Sequence, residues 1–181
     1  LFVFDNNTFL THFGLIPNNI TNSYNFYTFV TSLFLHGNLF HLLGNLLFLW
    51  IFGDNIEDKL GHVKFFIFYL ILGISTGLLF YLFNIYSTST AIGASGAISG
   101  ILGAYYIISP KSKVKTIILS RIVDVPSFLF LGAWLVIQIL LWLVNAVIEL
   151  NSPVSYLAHI SGFCFGFIFM KYFNKKKGRE Y

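Results

Sequence analysis

The chain is poor in charged residues and cysteine. Only 10% of its 181 residues are Asp, Glu, Lys or Arg, against about 25% in a typical soluble domain. Hydrophobic residues make up 56% of the sequence and the mean hydropathy is +0.77. Such a composition leaves too little polar surface to cover a water-soluble fold of this size. With Cys164 as the single cysteine, no disulfide can form within the chain. The shortage of charge and the excess of hydrophobic residues exclude most soluble classes and indicate a polytopic membrane protein.

Five apolar runs approach the roughly 20 residues that a membrane-spanning helix needs. They lie at about 33–52, 63–83, 91–109, 125–148 and 156–173. Pro126 suits the first turn of the fourth helix. The stretch 5–38 has too many apolar residues for a free linker, so we expect an interfacial loop, where aromatic side chains are favoured. Leu1–Phe4 reads as the tail of an earlier span. The sequence predicts an all-α, polytopic helical membrane bundle in which residues 1–181 form one domain.

The basic residues fall in alternate connections between these runs. The loops after the first and third spans carry Lys or Arg. The end of the fifth span and the tail at 174–181 do so too, starting with Lys171. The segments 5–38, 84–90 and 149–155 carry none. Because basic loops stay on the cytoplasmic side, the loops without Lys or Arg are predicted to face outwards. The basic tail is interpreted as a topology anchor, so no nucleic-acid partner is expected. We predict a multi-pass protein of a prokaryotic cell membrane.

Polar residues collect at the starts of three predicted spans. His36, His41 and Asn45 lie at the first, Ser95 at the third and His159 at the fifth. In the predicted topology these starts share the extracytoplasmic side. Polar groups at membrane depth are costly and are candidates for function. A serine hydroxyl becomes a useful nucleophile when a base takes its proton, and histidine is the usual base near neutral pH. The pattern predicts a Ser95–His159 pair.

Glycines on the third and fifth spans favour close contact between the two helices that carry this pair. Small residues let membrane helices approach closely. Such contact would bring the serine and the histidine within hydrogen-bond range. The glycines concerned are Gly96, Gly100 and Gly103 after the serine, and Gly162 and Gly166 after the histidine.

Spacing predicts the oxyanion donors, and the scarcity of carboxylates on the outer side argues against a third catalytic group. His41 and Asn45 are four residues apart, share a helix face, and can each donate to an oxyanion, an interaction worth roughly 3–4 kcal/mol. Asp5 and Glu149 are the only carboxylates on the outer side, and neither has a favourable sequence context. We therefore predict a Ser–His dyad without an orienting carboxylate.

A zinc site made of His36, His41 and His159 is an alternative use of the same histidines. No cysteine or carboxylate joins them at ligand spacing, and the chain contains no H-E-x-x-H motif, which metalloproteases use to bind zinc. No metal site is predicted.

Three motifs in this order resemble the rhomboid family of intramembrane serine proteases. They are His36-Gly-Asn-Leu-Phe-His41-Leu-Leu-Gly-Asn45, Gly93-x-Ser95-Gly96 and Ala158-His159-x-x-Gly162, and the resemblance runs from about residue 28 to 170. It implies a six-helix core, so that one span would precede Leu1. It implies Ser95 as nucleophile, His159 as general base, and an oxyanion hole formed by the Ser95 N–H, His41 and Asn45, supported by His36, Gly93, Gly96 and Gly162. It also implies single-span membrane proteins as substrates, cleaved in or next to their membrane segments, and no cofactor.

Two positions depart from the family pattern. Ser99 stands where many members have an aromatic ring stacked on the catalytic histidine, and Tyr27-Thr28 replaces a Trp-Arg pair in the first loop. The alternatives are a non-proteolytic rhomboid-like protein that binds or routes membrane clients, and a small transporter. The transporter is disfavoured because no charged residue lies in the middle of a span.

Overall fold

The computed structural model describes residues 2–3, 7–148 and 154–177. Within them the chain is predominantly helical, with two short two-stranded β-ladders. The helices are α1 Asn7–Phe13, α2 Pro17–Ser23, α3 Thr28–Thr31, α4 Leu39–Leu60, α5 His62–Phe83, α6 Ser95–Ile108, α7 Ser127–Ile148 and α8 Tyr156–Lys177, and the strands are β1 Phe2–Val3, β2 Leu35–His36, β3 Lys113–Ile118 and β4 Arg121–Pro126. The fold is the helical membrane bundle that the composition predicts.

Four long helices surround a short central one. Helices α4, α5, α7 and α8 are long and apolar enough to cross a membrane, and they expose large apolar side chains such as Phe40 and Val147, as a lipid-facing surface requires. Helix α6 lies inside, with every residue from Gly96 to Tyr105 buried. Its 14 residues rise about 21 Å at 1.5 Å per residue, less than the ~30 Å hydrocarbon core. The N-terminal end of α6 can therefore lie below the membrane surface.

The segment before α6 is held in place by the first loop. Leu15 and Ala91 exchange two backbone hydrogen bonds of 3.0 and 2.8 Å, and the Gly93 N–H donates to the Ser32 carbonyl over 2.9 Å. These bonds satisfy the backbone of a non-helical stretch that would otherwise be costly to bury. The first loop thus fixes the chain where it enters α6.

Tyr27 and Thr28 brace this loop, although they replace the Trp-Arg pair of the resemblance. The Tyr27 hydroxyl donates to the His12 carbonyl over 3.0 Å. Thr28 is buried, and its hydroxyl donates to the Asn25 carbonyl over 2.6 Å. Two hydroxyl-to-backbone bonds therefore act where the resemblance led us to expect a cation.

Several predicted boundaries are wrong. The first span begins at Leu39, where the Asn38 side chain accepts from the His41 N–H and caps the helix, and it continues to Leu60 rather than ending at 52. The third span is not 91–109, because residues 91–94 bond to the first loop instead of entering the helix. Helix α8 continues through Lys177, so the predicted tail at 174–181 begins as helix, and residues 178–181 lie outside the described part, as do 149–153.

A β-hairpin occupies the basic connection between α6 and α7, which the sequence predicted only as a loop. Strands β3 and β4 pair antiparallel with Lys113 opposite Pro126. Leu119 and Ser120 have positive φ values of 49° and 64°, the backbone of a tight two-residue hairpin turn. Pro126 is therefore the last residue of β4 and does not open the helix.

The prediction that Leu1–Phe4 ends an earlier helix is wrong for its two described residues. Phe2 and Val3 form β1, which pairs parallel with Leu35 and His36 of β2. Strand pairing gives hydrogen-bond partners to the backbone just ahead of α4. Leu1 and Phe4 lie outside the described residues.

Candidate active site

The Ser95 hydroxyl and the His159 imidazole lie in contact. Ser95 is the first residue of α6, and His159 lies in the first turn of α8. The distance from Ser95 Oγ to His159 Nε2 is 2.9 Å, within hydrogen-bond range. Because the N–H groups of a first helical turn have no partner within the helix, the backbone at Ser95 can also offer a donor. The helix ends therefore bring together a hydroxyl, a base and free N–H groups.

The glycines keep α6 and α8 at backbone contact, as the sequence predicted. A Cβ added at Gly162 would overlap the Gly96 carbonyl oxygen, and one at Gly166 would overlap the Gly100 carbonyl oxygen. A Cβ at Gly103 would overlap the backbone of Phe163. This spacing allows a side chain as short as serine to reach the imidazole on the other helix.

A cavity of about 700 Å³ opens beside the pair. Its lining includes Ser95, His159, His41, Asn45 and Trp134. Four of the five polar residues predicted from three separate spans thus line one space, and His36 does not line it. A cavity with a few convergent polar groups and apolar walls is typical of a ligand or substrate site.

Gly93 lets His41 approach the chain just before the serine. Gly93 has φ +109°, a conformation that is costly for other residues. A Cβ there would lie 2.7 Å from His41 Nε2 and 3.6 Å from Asn45 Nδ2. The Asn45 Nδ2 group is buried and has no hydrogen-bond partner within the described ranges. The amide is therefore a donor without an acceptor of its own, on a residue that lines the cavity.

His36 packs against the ring of His41. It is fully buried, and the two imidazoles meet edge to face with centroids 5.1 Å apart. Burial lowers the pKa of His36 from its ordinary value, since the charged form loses its hydration. His36 is therefore neutral at physiological pH, and it packs against His41 without adding a charge.

Helix α7 supplies two contacts to His159 that the sequence did not predict. The Trp134 ring lies 6.1 Å from the imidazole, centroid to centroid, and covers the histidine where the resemblance led us to expect a ring at position 99. The Ser99 hydroxyl instead donates to the Ser95 carbonyl over 2.7 Å. The Gln138 Oε1 atom lies 2.8 Å from His159 Nδ1. Gln138 is polar within an apolar span, the same signal that selected Ser95 and His159.

The histidines do not assemble into a metal-binding group. Over residues 7–148 and 154–177, no three His, Cys, Asp or Glu side chains lie together as possible ligands. In this arrangement the nitrogens of His159 face Ser95 and Gln138, so the geometry favours proton transfer over ligation.

Comparison with known proteins identifies the family of this chain. The family model described as "Rhomboid domain" matches residues 23–176, which include all the helices from α3 onwards apart from the last residue of α8. The chain belongs to the rhomboid family. RHOMBOID-like protein 6, mitochondrial, of Arabidopsis thaliana is 34% identical to this rhomboid over 145 residues, covering 78% of the chain and 43% of the relative. RHOMBOID-like protein 1 of the same plant is 31% identical over 81% of the chain and 36% of the relative.

A bacterial relative carries a protease name. Rhomboid protease GluP of Bacillus subtilis is 35% identical over 95 residues, 52% of this chain and 18% of the relative. The chain thus spans less than half the length of the curated relatives that it matches. Relatives from a plant, yeast and a bacterium give no support to the specific prediction of a prokaryotic membrane. Four spanning helices and the family establish a multi-pass membrane protein.

Proposed function

We propose that this rhomboid is an intramembrane serine endopeptidase that hydrolyses peptide bonds in or next to the membrane segments of single-span proteins. The observation that carries the proposal is the 2.9 Å contact between Ser95 Oγ and His159 Nε2, in a cavity that His41 and Asn45 also line. A hydroxyl, an imidazole and hydrogen-bond donors lie together, and acyl transfer needs such an arrangement. The protease name of the Bacillus relative supports the same reaction class.

The geometry supports a two-step mechanism. His159 Nε2 accepts the proton of Ser95 while Oγ attacks the scissile carbonyl carbon, and the oxyanion receives hydrogen bonds from the Ser95 N–H, His41 and Asn45. His159 then gives the proton to the leaving amine, the C–N bond breaks, and an ester to Ser95 remains. In the second step His159 takes a proton from water while the water oxygen attacks this ester. The bond to Ser95 Oγ then breaks, the acid is released, and His159 returns the proton to Oγ.

The short central helix supports a membrane-embedded substrate. Ser95 begins a helix of about 21 Å, shorter than its neighbours, so the cavity lies within reach of a substrate segment near the bilayer edge. Among the described residues, the connections at this end are the first loop and the segment 84–94, which carry no Lys or Arg. The cavity therefore faces the extracytoplasmic side in our proposal, by the positive-inside rule.

Reconstituted protein provides the test. In proteoliposomes the wild type should cleave a single-span substrate at a site in or next to its membrane segment, and EDTA should leave the rate unchanged. A fluorophosphonate probe should label the protein, and peptide mapping should place the label on Ser95. Binding of the substrate without cleavage or labelling would favour the non-proteolytic, client-binding alternative.

Asn45→Ala should lower kcat by about 10²–10³-fold, because an oxyanion donor acts mainly in the transition state. KM should change little. Stability in detergent should stay close to wild type, since the Asn45 Nδ2 group makes no hydrogen bond among the described residues. Asn45→Asp is the matched control for shape: it keeps the side-chain size, lacks the N–H donor, and should lose as much activity. A rise in KM at unchanged kcat would contradict this role.

A further inference from the structure

Gln138 contacts the nitrogen of His159 that faces away from the serine. The amide oxygen Oε1 lies 2.8 Å from Nδ1, while Nε2 lies 2.9 Å from Ser95 Oγ. Gln138 is only 8% exposed, so water competes little for this contact. Gln138, His159 and Ser95 form a continuous chain of hydrogen bonds drawn from α7, α8 and α6.

The direction of these bonds decides whether His159 can act as a base. A neutral imidazole carries one N–H donor and one acceptor nitrogen. An amide oxygen at Nδ1 accepts from Nδ1–H and so favours the tautomer in which Nε2 carries the lone pair. That lone pair then faces the Ser95 hydroxyl. In the opposite tautomer Nε2–H would point at the serine and could not take its proton.

We propose that Gln138 is a positioning residue that holds His159 as the Nδ1–H tautomer, the role that an aspartate has in soluble Ser–His–Asp enzymes. The proposal rests on the proposed protease function. A neutral amide suits this place because an ionised carboxylate inside a membrane span is expensive. Trp134 lies one turn before Gln138, on the same face of α7, and covers the same imidazole, so that one helix face sets both the orientation and the tautomer of the base.

Substitutions at position 138 separate this role from general packing. Gln138→Glu keeps an acceptor at the same reach, whereas Gln138→Asn keeps amide polarity but draws the oxygen back by one methylene. We expect Gln138→Leu and Gln138→Asn to lower kcat by about 10²-fold at similar KM, within the range for general base catalysis, and Gln138→Glu to retain more activity than Gln138→Asn. Fluorophosphonate labelling rates should follow the same order.

Asn145→Leu is the matched control. Asn145 lies two turns further along α7 and is also an amide in the span, and its substitution should leave kcat unchanged. Wild-type kcat in Gln138→Asn, or equal loss in the Glu and Asn variants, would overturn the proposal. If the wild type itself neither cleaves nor labels, the protease function fails instead. If Gln138→Leu does not fold, the comparison of the Asn and Glu variants still decides.

A second, independent feature is the exposed tip of the β3–β4 hairpin. Ile117, Leu119 and Ile122 are 73%, 92% and 74% exposed. Strand β4 runs directly into α7, and only residues 109–112 separate α6 from β3. The opposite face packs on the bundle through Val114, which is 8% exposed. Large apolar groups at the end of a short connection between two spans lie within reach of the bilayer interface.

Basic residues lie along the two strands that carry this apolar tip. Lys113, Lys115 and Arg121 lie on the same two strands, and the one acidic residue of these strands, Asp124, is 3.6 Å from the Lys113 ammonium. We infer that the tip inserts into a leaflet that contains anionic lipids, with the apolar side chains among the headgroups and the cations on lipid phosphates. Lysine and arginine side chains near such a surface are attracted to it electrostatically.

A fluorophore at the tip tests the inference. In a Cys164→Ser background, Leu119→Cys labelled with NBD should emit at shorter wavelength, and be quenched more by brominated lipids, in phosphatidylcholine vesicles that contain phosphatidylglycerol than in phosphatidylcholine alone. Replacing Lys113, Lys115 and Arg121 by glutamine should remove that difference. Water-like emission in both vesicles would overturn insertion, and equal insertion in both would overturn the anionic-lipid partner.

Discussion

Replacing Ser95 by alanine is expected to abolish cleavage, with a loss of at least about 10⁴-fold, and His159→Ala should lose as much. In the proposed mechanism the 2.9 Å contact makes the two side chains one functional unit, because neither the nucleophile nor the proton acceptor is useful alone. Groups that act as a unit show strongly non-additive losses. The Ser95→Ala/His159→Ala double variant should therefore be no slower than either single variant.

Initial rates in proteoliposomes measure this prediction. Ser161→Ala is the matched control, because Ser161 is also a serine of the bundle, but its hydroxyl donates to the Ala158 carbonyl of its own helix over 3.1 Å. It should keep activity within a few-fold of wild type. Cleavage by Ser95→Ala above the uncatalysed rate, or a double variant whose loss is the product of the single losses, would contradict a shared proton-transfer step.

The sequence predicts a helix well where helix-ending residues such as glycine or asparagine stand directly beside its apolar run. For α5 the apolar run 63–83 differs by one residue from His62–Phe83, since Gly61 and Asn84 flank it. The third span was predicted too long because residues 91–94 are as apolar as the helix that follows. Their non-helical path depends on Leu15 and Ser32, residues far away in sequence, and no local pattern contains that information.

The same holds for the candidate site: some of its residues can be recognised from the local sequence, and others only from the packing of distant helices. Ser95, His159, His41 and Asn45 stand out as polar residues at span ends, and they do converge on one cavity. Gln138 lies mid-span, and its contact with His159 depends on how α7 is rotated about its axis. Rotation follows from packing against neighbouring helices, which only the structure shows.

Gly162→Ala should have the next largest effect, on stability and on rate together. The added Cβ would overlap the Gly96 carbonyl oxygen, which is backbone and cannot turn away as a side chain could. Helices α6 and α8 must then separate, at a cost of about 1–3 kcal/mol of folding free energy. Because Ser95 adjoins Gly96 and His159 lies one turn before Gly162, the same separation lengthens the Ser95–His159 contact. A displacement of about 1 Å at reacting groups can cost 10²-fold in rate.

Gly132→Ala tests whether helix spacing is the cause. A Cβ at Gly132 would have no heavy atom within 4 Å, and alanine favours a helix interior over glycine by up to about 1 kcal/mol. This variant should therefore be at least as stable as wild type, at an unchanged rate.

Thermal unfolding in detergent and kcat, measured well below the unfolding temperature, separate the two effects of Gly162→Ala. Folded protein with a wild-type rate would mean that the bundle absorbs the added carbon elsewhere, and that close α6–α8 contact is not what sets the distance between hydroxyl and imidazole. A rate loss that persists in the folded variant would tie catalysis directly to the glycine contact.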